Sequence, residues 1–450
     1  MSDRLFIKGT LILTLTGLTS RLMGFFYRIF LSHTVGAQGI GIYQLTLPVQ
    51  GIILAACCMG IQAAISRLCA SFTALKKENA ARDALLLGLV LSISSSGLLS
   101  LLIYLNADFV AISLLKEPGT AVLLHILAFS FPLSALHSCV NSFYYAKKKT
   151  GIPAFIQLLE QISRIGSTYI ICLILISRKS EITPVIAAGG TLFSEVVAAA
   201  SCLLALGIDF SKENYKPIIR LFRQIKTYLH QKVIPAVVSE IFQIAIPHSA
   251  NRLLLTLLSG IEVILIPQQL LLSGMNHADS LAVYGIFTGM ALPLILFPAT
   301  VTNSASVMLM PSVAGLQALG YEKRIRFVIR RTCESCFFFG TFCTLFFFVF
   351  GKNLGIFLFH SETAGIYIRT LAFICPFLYT NTALESILNG LGRPDACLFH
   401  NVAGVCIRIG FVLLSVPTLG IRGYFYGMLI SQLILTLLHF IYLNKMELSE

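Results

Sequence analysis

The sequence predicts an all-α integral membrane protein with about twelve transmembrane helices. Of its 450 residues, 56% are hydrophobic and only 12% are charged, and the mean hydropathy is +0.84. Soluble domains carry roughly a quarter charged residues, so this chain has too few charges to cover a globule with polar surface. Apolar runs of about twenty residues, the length that crosses a bilayer as a helix, recur along the whole chain.

Twelve such runs are predicted as spans. They cover residues 5–32, 44–72, 84–105, 121–145, 153–176, 183–206, 235–260, 282–310, 332–350, 364–389, 396–416 and 420–443. We expect the first run to be a retained span, because it is too long for a signal peptide and continues through Arg21 without a small-residue cleavage site.

The basic residues predict that both termini lie in the cytoplasm. With the first residue inside, the inner segments hold 21 of the 33 Lys and Arg, and the outer loops hold five. Cytoplasmic loops of membrane proteins carry this excess of positive charge. The net charge of +13 therefore indicates membrane orientation, and no nucleic-acid partner is expected.

The longest polar stretch, residues 208–234, is predicted to be a cytoplasmic linker between two lobes, 1–207 and 235–450. Its apolar residues fall on one helical face, with basic residues opposite: Ile218, Leu221, Phe222, Ile225 and Leu229. This pattern is typical of an amphipathic helix that lies on an anionic membrane surface.

The two halves of the sequence repeat at a spacing of 244 residues. Leu127–Pro132 aligns with Leu371–Pro376, and Arg164–Gly166 aligns with Arg408–Gly410. Pro132 and Pro376 are expected to kink their helices. Six spans per half keep the halves in one orientation, which is the plan of a parallel-repeat transporter. A pore is the alternative, but no repeated filter loop is visible in the sequence.

Basic residues inside hydrophobic spans are costly and usually face a cavity or a partner. Arg21 and Arg28 lie about 10 Å apart on one face of the first span, which carries no acid. We expect them to bind an anion such as pyrophosphate, because a guanidinium matches phosphate geometry. Snorkelling of Arg28 to the interface is the alternative. Arg252, in the middle of the seventh span, is predicted to join this site.

The other span charges suggest structural or gating roles. Glu160 and Arg164 are four residues apart and are predicted to pair along one helix. Arg408, the repeat equivalent of Arg164, has no acid four residues before it, so we expect a partner elsewhere, either Glu385 or Glu195.

Two further carboxylates, Glu240 and Glu262 on the seventh span, are candidates for coupling to Na⁺ or H⁺, and no other cofactor is expected. The sequence contains no phosphate-binding Gly-x-x-x-x-Gly-Lys-Ser/Thr motif, so we expect neither ATP hydrolysis nor another enzymatic activity. The glycine-rich segments 36–41 and 390–394 are predicted turns. Cys333 and Cys336 have metal-like spacing but lack a second ligand pair, so no metal site is predicted.

Several segments resemble one branch of a known superfamily. They are Lys8–Arg28, Val35–Tyr43, Leu47–Pro48, Ile266–Leu270, Tyr284–Pro293 and Leu388–Pro394. Together they resemble the polysaccharide transporter branch of the multidrug/oligosaccharidyl-lipid/polysaccharide (MOP) exporter superfamily. Within that branch the chain is most similar to the stage V sporulation protein B group and to the lipid II flippases.

The resemblance implies two six-helix lobes around a V-shaped cavity and a polyprenyl-pyrophosphate-linked glycan as cargo. Arg21 and Arg28 match basic positions that face the cavity in the lipid II flippases. The expected location is the cytoplasmic membrane of a bacterium, where a monomer would contact membrane lipids and enzymes of wall or polysaccharide assembly.

Two departures keep other functions open. The flippases have further arginines in the second and eighth spans, which are missing here, and usually have fourteen spans. Twelve spans match the multidrug and toxic compound extrusion (MATE) branch, so cation-coupled export of drugs or metabolites is the main alternative. A scaffold that recruits wall or spore-coat enzymes without transport is the third.

Overall fold

The structure is a computed structural model that describes the backbone of residues 2–212 and 236–446, with most of the side chains from residue 15 onwards. All regular elements in these two ranges are helices. A chain in lipid must satisfy its backbone hydrogen bonds internally, and a helix does so within one segment. The apolar runs of the sequence therefore become helices.

Nine α-helices are described in residues 2–212. They are α1 (Ser2–Thr34), α2 (Gly36–Leu54), α3 (Gly60–Ala74), α4 (Glu78–Leu105), α5 (Ala107–Phe109), α6 (Thr120–Ala128), α7 (Ser130–Ala146), α8 (Gly151–Ser177) and α9 (Val185–Lys212). A π-helix, Ala55–Met59, joins α2 to α3 without a break.

Ten more α-helices are described in residues 236–446. They are α10 (Ala236–Leu272), α11 (His277–Gly285), α12 (Leu292–Leu296), α13 (Ala299–Ala318), α14 (Glu322–Phe359), α15 (Glu362–Leu371), α16 (Cys375–Gly390), α17 (Pro394–Leu414), α18 (Val416–Leu419) and α19 (Ile421–Lys445). Another π-helix, Ile286–Ala291, joins α11 to α12.

Among the described residues, ten helical segments are long and apolar enough to cross a membrane, or eleven if α6 and α7, bent by 45°, form one span. The chain is thus a multi-pass helical membrane protein. The number of twelve spans and the cytoplasmic termini stay predictions.

Two sequence predictions about local structure are wrong. The predicted eighth span, 282–310, is interrupted at Phe297–Pro298, between α12 and α13. Proline lacks the N–H that would continue the helix. The predicted turn at 36–41 is confined to its start, because α2 begins at Gly36. Gly41 lies inside α2, and a Cβ there would clash with the backbone carbonyl of Leu281 on α11.

The internal repeat extends to the backbone conformation. Five described residues of the first half have positive φ, and three of them have a counterpart 244 residues later: Lys76 and Gly320, Lys116 and His360, Lys148 and Gly392. Helices α4 and α14 likewise begin at Glu78 and Glu322. Because few non-glycine residues adopt positive φ, three matches at one spacing indicate that the same loop geometry is used twice.

The two repeat-related prolines lie just after breaks in the helices. Pro132 is in the first turn of α7, directly after the 45° bend. Pro376 is in the first turn of α16, after the 3-10 turn Ala372–Ile374. Proline is tolerated in a first turn, where its missing N–H has no helical partner. The predicted interruption is therefore present in both halves.

The contacts divide the chain into two compact units. The first comprises Met1–Gly24 and Leu45–Leu257, and the second comprises Phe25–Gln44 and Leu258–Glu450. The division into lobes 1–207 and 235–450 stays a prediction. From residue 213 onwards, the predicted linker helix lies outside the described residues.

Each unit has its own apolar core. In the first unit, buried side chains of α3, α4, α7, α9 and α10 pack together, including Ile65, Leu85, Phe143, Cys202 and Ile241. In the second unit, a core joins α13, α14 and α16 through Val313, Ile325, Leu384, Ile387 and Leu388. These cores fix the helices that carry the polar residues described next.

Candidate functional site

The first unit contains a charged cluster between α7, α8 and α9. His137 Nδ1 lies 2.9 Å from Glu195 Oε2, and Glu195 is only 5% exposed. The Glu160 carboxylate forms the predicted ion pair with Arg164. Arg164 Nε donates to Ser194 Oγ over 3.4 Å, which places the two pairs side by side.

The cluster is one positive charge short of neutrality when His137 is neutral. Glu160 and Glu195 supply two negative charges, and Arg164 supplies one positive charge. The thiols of Cys58 and Cys202 are also neighbouring uncharged groups, and Cys202 Sγ faces the His137 carbonyl. Because a net charge is costly to bury, this cluster can hold one extra proton on the His137–Glu195 pair.

The second unit has an uncharged network at the repeat-related place. Asn381 follows His137 by 244 residues. Its Nδ2 donates to Gln432 Oε1 over 2.8 Å, and its Oδ1 accepts from Thr436 Oγ1 over 2.8 Å. Here two amides and a hydroxyl replace the imidazole and carboxylate, so these three groups exchange no proton.

Arg408 forms a buried ion pair in the second unit. Its Nε lies 2.6 Å from Glu262 Oε1 and its Nη2 lies 3.0 Å from Oε2. The Tyr424 hydroxyl donates to the same Oε1 over 2.7 Å. These contacts join α10, α17 and α19, and both carboxylate oxygens are occupied.

The expected partners of Arg408 were therefore wrong. Glu195 pairs with His137, and Glu385 lies half-buried on α16, where its backbone carbonyl accepts from Cys397. The sequence contains no distance between helices, and Glu262 lies 146 residues from Arg408 along the chain. No regular spacing between residues in the sequence indicates this pair.

The three arginines predicted to bind an anion differ from Arg164 and Arg408. Arg21 and Arg28 on α1 and Arg252 on α10 are exposed. None of them forms a salt bridge to a carboxylate of another residue that the structure describes. Arg21 and Arg252 belong to the first unit and Arg28 to the second. Their predicted role in binding an anion stays a prediction.

The remaining predicted positions carry no assembled site. Glu240 is exposed on α10. Cys333 and Cys336 lie on α14, where Cys336 is buried. Across residues 2–212 and 236–446, no group of three or more His, Cys, Asp or Glu side chains could hold a metal ion.

Known proteins identify the family. The family model described as "Polysaccharide biosynthesis protein" matches residues 6–317. The chain belongs to this family. It therefore lies in the polysaccharide transporter branch of the MOP superfamily, as the sequence motifs indicated.

Two curated relatives come from Bacillus subtilis (strain 168). The Stage V sporulation protein B is 25% identical over 445 residues, which cover 98% of this chain and 83% of the relative. The Lipid II flippase MurJ is 23% identical over 446 residues, which cover 93% of this chain and 78% of the relative.

Two solved structures share the fold. One is an inward-facing multidrug resistance MATE family transporter of the MOP superfamily, with a TM-score of 0.72 and 16% identity over 96% of this chain and 94% of the other. The other is a MOP superfamily transporter from Pyrococcus furiosus, with a TM-score of 0.66 and 16% identity over 98% and 96%. The likeness confirms the MATE-like fold.

Sequence reasoning missed the His137–Glu195 pair and the Asn381–Gln432 pair, which contains the repeat equivalent of His137. A signal was present in the repeat, because the 244-residue spacing that aligns Arg164 with Arg408 also aligns His137 with Asn381. Each of these polar residues interrupts an apolar run. Such interruptions at matched positions indicate a buried polar contact in both halves.

Proposed function

We propose that this protein moves a polyprenyl-diphosphate-linked glycan across the cytoplasmic membrane of a bacterium by alternating access. The observation that carries the proposal is the set of exposed arginines without carboxylate partners, Arg21, Arg28 and Arg252, in a chain of the polysaccharide family. A relative whose name states lipid II flippase activity supports this cargo.

The diphosphate suits these arginines for two reasons. An unpaired guanidinium inside a span is costly, and an anionic ligand offsets that cost. Arg21 and Arg28 are two helical turns apart along α1, about 10 Å, and lie on the same face of that helix. Each guanidinium can donate two parallel hydrogen bonds to a phosphate.

We further propose that a proton on the His137–Glu195 pair couples to transport. Of the two carboxylates expected to bind a coupling ion, Glu262 is held by Arg408 and Tyr424. The cluster of His137, Glu160, Arg164 and Glu195 becomes neutral on gaining one proton. A proton gradient then shifts the population toward the conformation in which this cluster is protonated.

Transbilayer movement in proteoliposomes tests the cargo. A fluorescent undecaprenyl-diphosphate sugar is incorporated, and its protection from an external quencher is followed. We expect wild type to move it and Arg21→Gln/Arg28→Gln to lose at least about tenfold in rate, the effect of one lost charge-assisted contact.

The control is Arg369→Gln. Arg369 is also exposed on a predicted span, but its guanidinium stacks over the Phe348 ring, 4.9 Å from the centroid. This variant should keep the wild-type rate. Equal rates in wild type, in the double variant and in empty liposomes would contradict the proposed cargo.

The MATE-like fold keeps cation-coupled drug export as the second candidate. It predicts that wild type carries a cationic dye against a pH gradient and leaves the lipid-linked sugar in place. Glu240→Gln is the informative variant, because Glu240 is exposed on α10 and is free of the Arg408 pair.

A further inference from the structure

Two histidines from distant parts of the sequence meet at the end of α1. His33 is the penultimate residue of α1, and His360 directly follows α14. Their Nδ1 atoms are 3.1 Å apart, and both side chains are exposed. Both residues belong to the second unit.

The hydrogen bonds fix the tautomer of His33. Its Nε2 lies 3.0 Å from the backbone carbonyl oxygen of Leu358. A carbonyl only accepts, so Nε2 carries the proton and donates. In the neutral ring, Nδ1 then presents its lone pair to His360. Metal-binding histidines have this arrangement, with one nitrogen on the metal and the other donating to a carbonyl.

The distance between the two Nδ1 atoms fits a shared metal ion. Zinc–imidazole bonds are about 2.0–2.1 Å long. Two such bonds at an angle of about 100° hold their nitrogens about 3.1 Å apart, which is the distance seen here. The separation therefore matches two bonds to one ion, and each ring turns by about 40° from the N–H···N line to face that ion.

Local contacts fix the backbone of the turn that carries His360. His360 has φ +49 and its N–H closes the end of α14 on the Ile356 carbonyl. Ser361 Oγ accepts from the Ala364 N–H and caps α15. Glu362 is paired with Lys352 over 2.6 Å. A site held by its supporting contacts is preorganised for a ligand.

We propose that His33 and His360 bind one transition-metal ion of the Zn²⁺, Ni²⁺ or Cu²⁺ class through their Nδ1 atoms, with water in the other positions. Imidazole nitrogens select these ions over Mg²⁺ and Ca²⁺. On binding, the proton on His360 Nδ1 moves to Nε2 of the same ring through solvent, so both ligands stay neutral. The ion ties the end of α1 to the turn between α14 and α15.

The binding test uses purified full-length protein without a polyhistidine tag, in detergent and with the thiols kept reduced. Zn²⁺ is titrated by calorimetry, and Cu²⁺ is followed by electron paramagnetic resonance. We expect one Zn²⁺ per chain and a Cu²⁺ spectrum with coupling to two imidazole nitrogens. His33→Gln and His360→Gln should each weaken Zn²⁺ binding at least tenfold.

The control is His248→Gln, because His248 is exposed on α10 and lies far along the chain from both ligands. It should bind Zn²⁺ as wild type does, and Mg²⁺ should not bind at this site. Equal Zn²⁺ affinity of wild type and the His33→Gln/His360→Gln variant would overturn the proposal and leave a hydrogen bond between the rings. These measurements involve no transport, so their outcome is independent of the cargo.

Discussion

The two halves of the molecule use one backbone plan for different chemistry. At a spacing of 244 residues, His137 of the first half corresponds to Asn381 of the second. His137 contacts a carboxylate, Glu195, whereas Asn381 contacts an amide, Gln432. The first contact can gain or lose a proton, and the second cannot. The repeat-related residue on α7 and α16 therefore makes a polar contact in both halves, while the charge of the contact and the position of its partner differ.

The repeat-related arginines show the same divergence. Arg164 pairs with Glu160 on its own helix, where the acid is four residues away. Arg408 has glycine at that position and pairs instead with Glu262 on α10. The pair in the second half joins separate helices and is a structural contact, whereas the pair in the first half adjoins a group that can be protonated.

The largest effect on stability is expected from Arg408→Met. It leaves the Glu262 carboxylate buried with only the Tyr424 hydroxyl, and loss of one partner from a buried pair costs about 3–5 kcal/mol. Thermal unfolding can be followed with a thiol-reactive dye, because most of the twelve cysteines are buried. Glu262→Gln/Arg408→Met should recover part of the loss. An unchanged melting temperature for Arg408→Met would show that the pair contributes no stability.

Replacing the His137–Glu195 pair by amides is expected to uncouple transport from the proton gradient with little loss of stability. His137→Asn/Glu195→Gln keeps a hydrogen bond between α7 and α9 and removes the proton site. Flipping driven by a pH gradient should fall at least about tenfold, as for one lost charge-assisted interaction. The measurement is the flipping rate with and without the gradient.

The matched control for this swap is His400→Asn. His400 is also buried and contacts His439 over 2.9 Å between Nδ1 atoms, but it lies outside the charged cluster. It should keep the response to the gradient. If His137→Asn/Glu195→Gln keeps the flipping rate that the pH gradient drives in wild type, the coupling proton is not carried by the His137–Glu195 pair.

The smallest effect is expected at the repeat-related turns. Lys148 and Gly392 have φ of 58° and 73°, and a side chain in this region costs about 1 kcal/mol. Lys148→Gly should stabilise, and Gly392→Lys should destabilise, each by up to about 1 kcal/mol. A Cβ at Gly392 meets no neighbouring atom, so only the backbone is tested. If Lys148→Gly and Gly392→Lys shift the melting temperature in the same direction, the two turns are not equivalent.

Much of the fold could be predicted from the sequence because apolar runs of span length become helices. The repeat was also readable, from Arg164–Gly166 and Arg408–Gly410, and it reappears in the turns. That the predicted span ends at Phe297–Pro298, and does not only bend there, was not predictable, because a proline inside an apolar run can bend a helix or end it.

The candidate site was predictable in part. Unpaired arginines on α1 follow from the absence of an acid on that span, and the Glu160–Arg164 pair follows from helical spacing. The contacts between helices, His137–Glu195 and Arg408–Glu262, depend on packing at distances that no spacing rule contains. Glu262 is an example. Its carboxylate was expected to bind a coupling ion, but it pairs with Arg408.

The central claim is that the unpaired arginines bind a diphosphate on a lipid, and binding tests it most directly. The affinities of purified protein for undecaprenyl diphosphate and for the uncharged alcohol undecaprenol are compared. Wild type and Arg369→Gln should prefer the diphosphate at least about tenfold, the effect of one charge-assisted contact. Arg21→Gln/Arg252→Gln should lose that preference. Equal affinities of wild type for the two lipids would contradict the account.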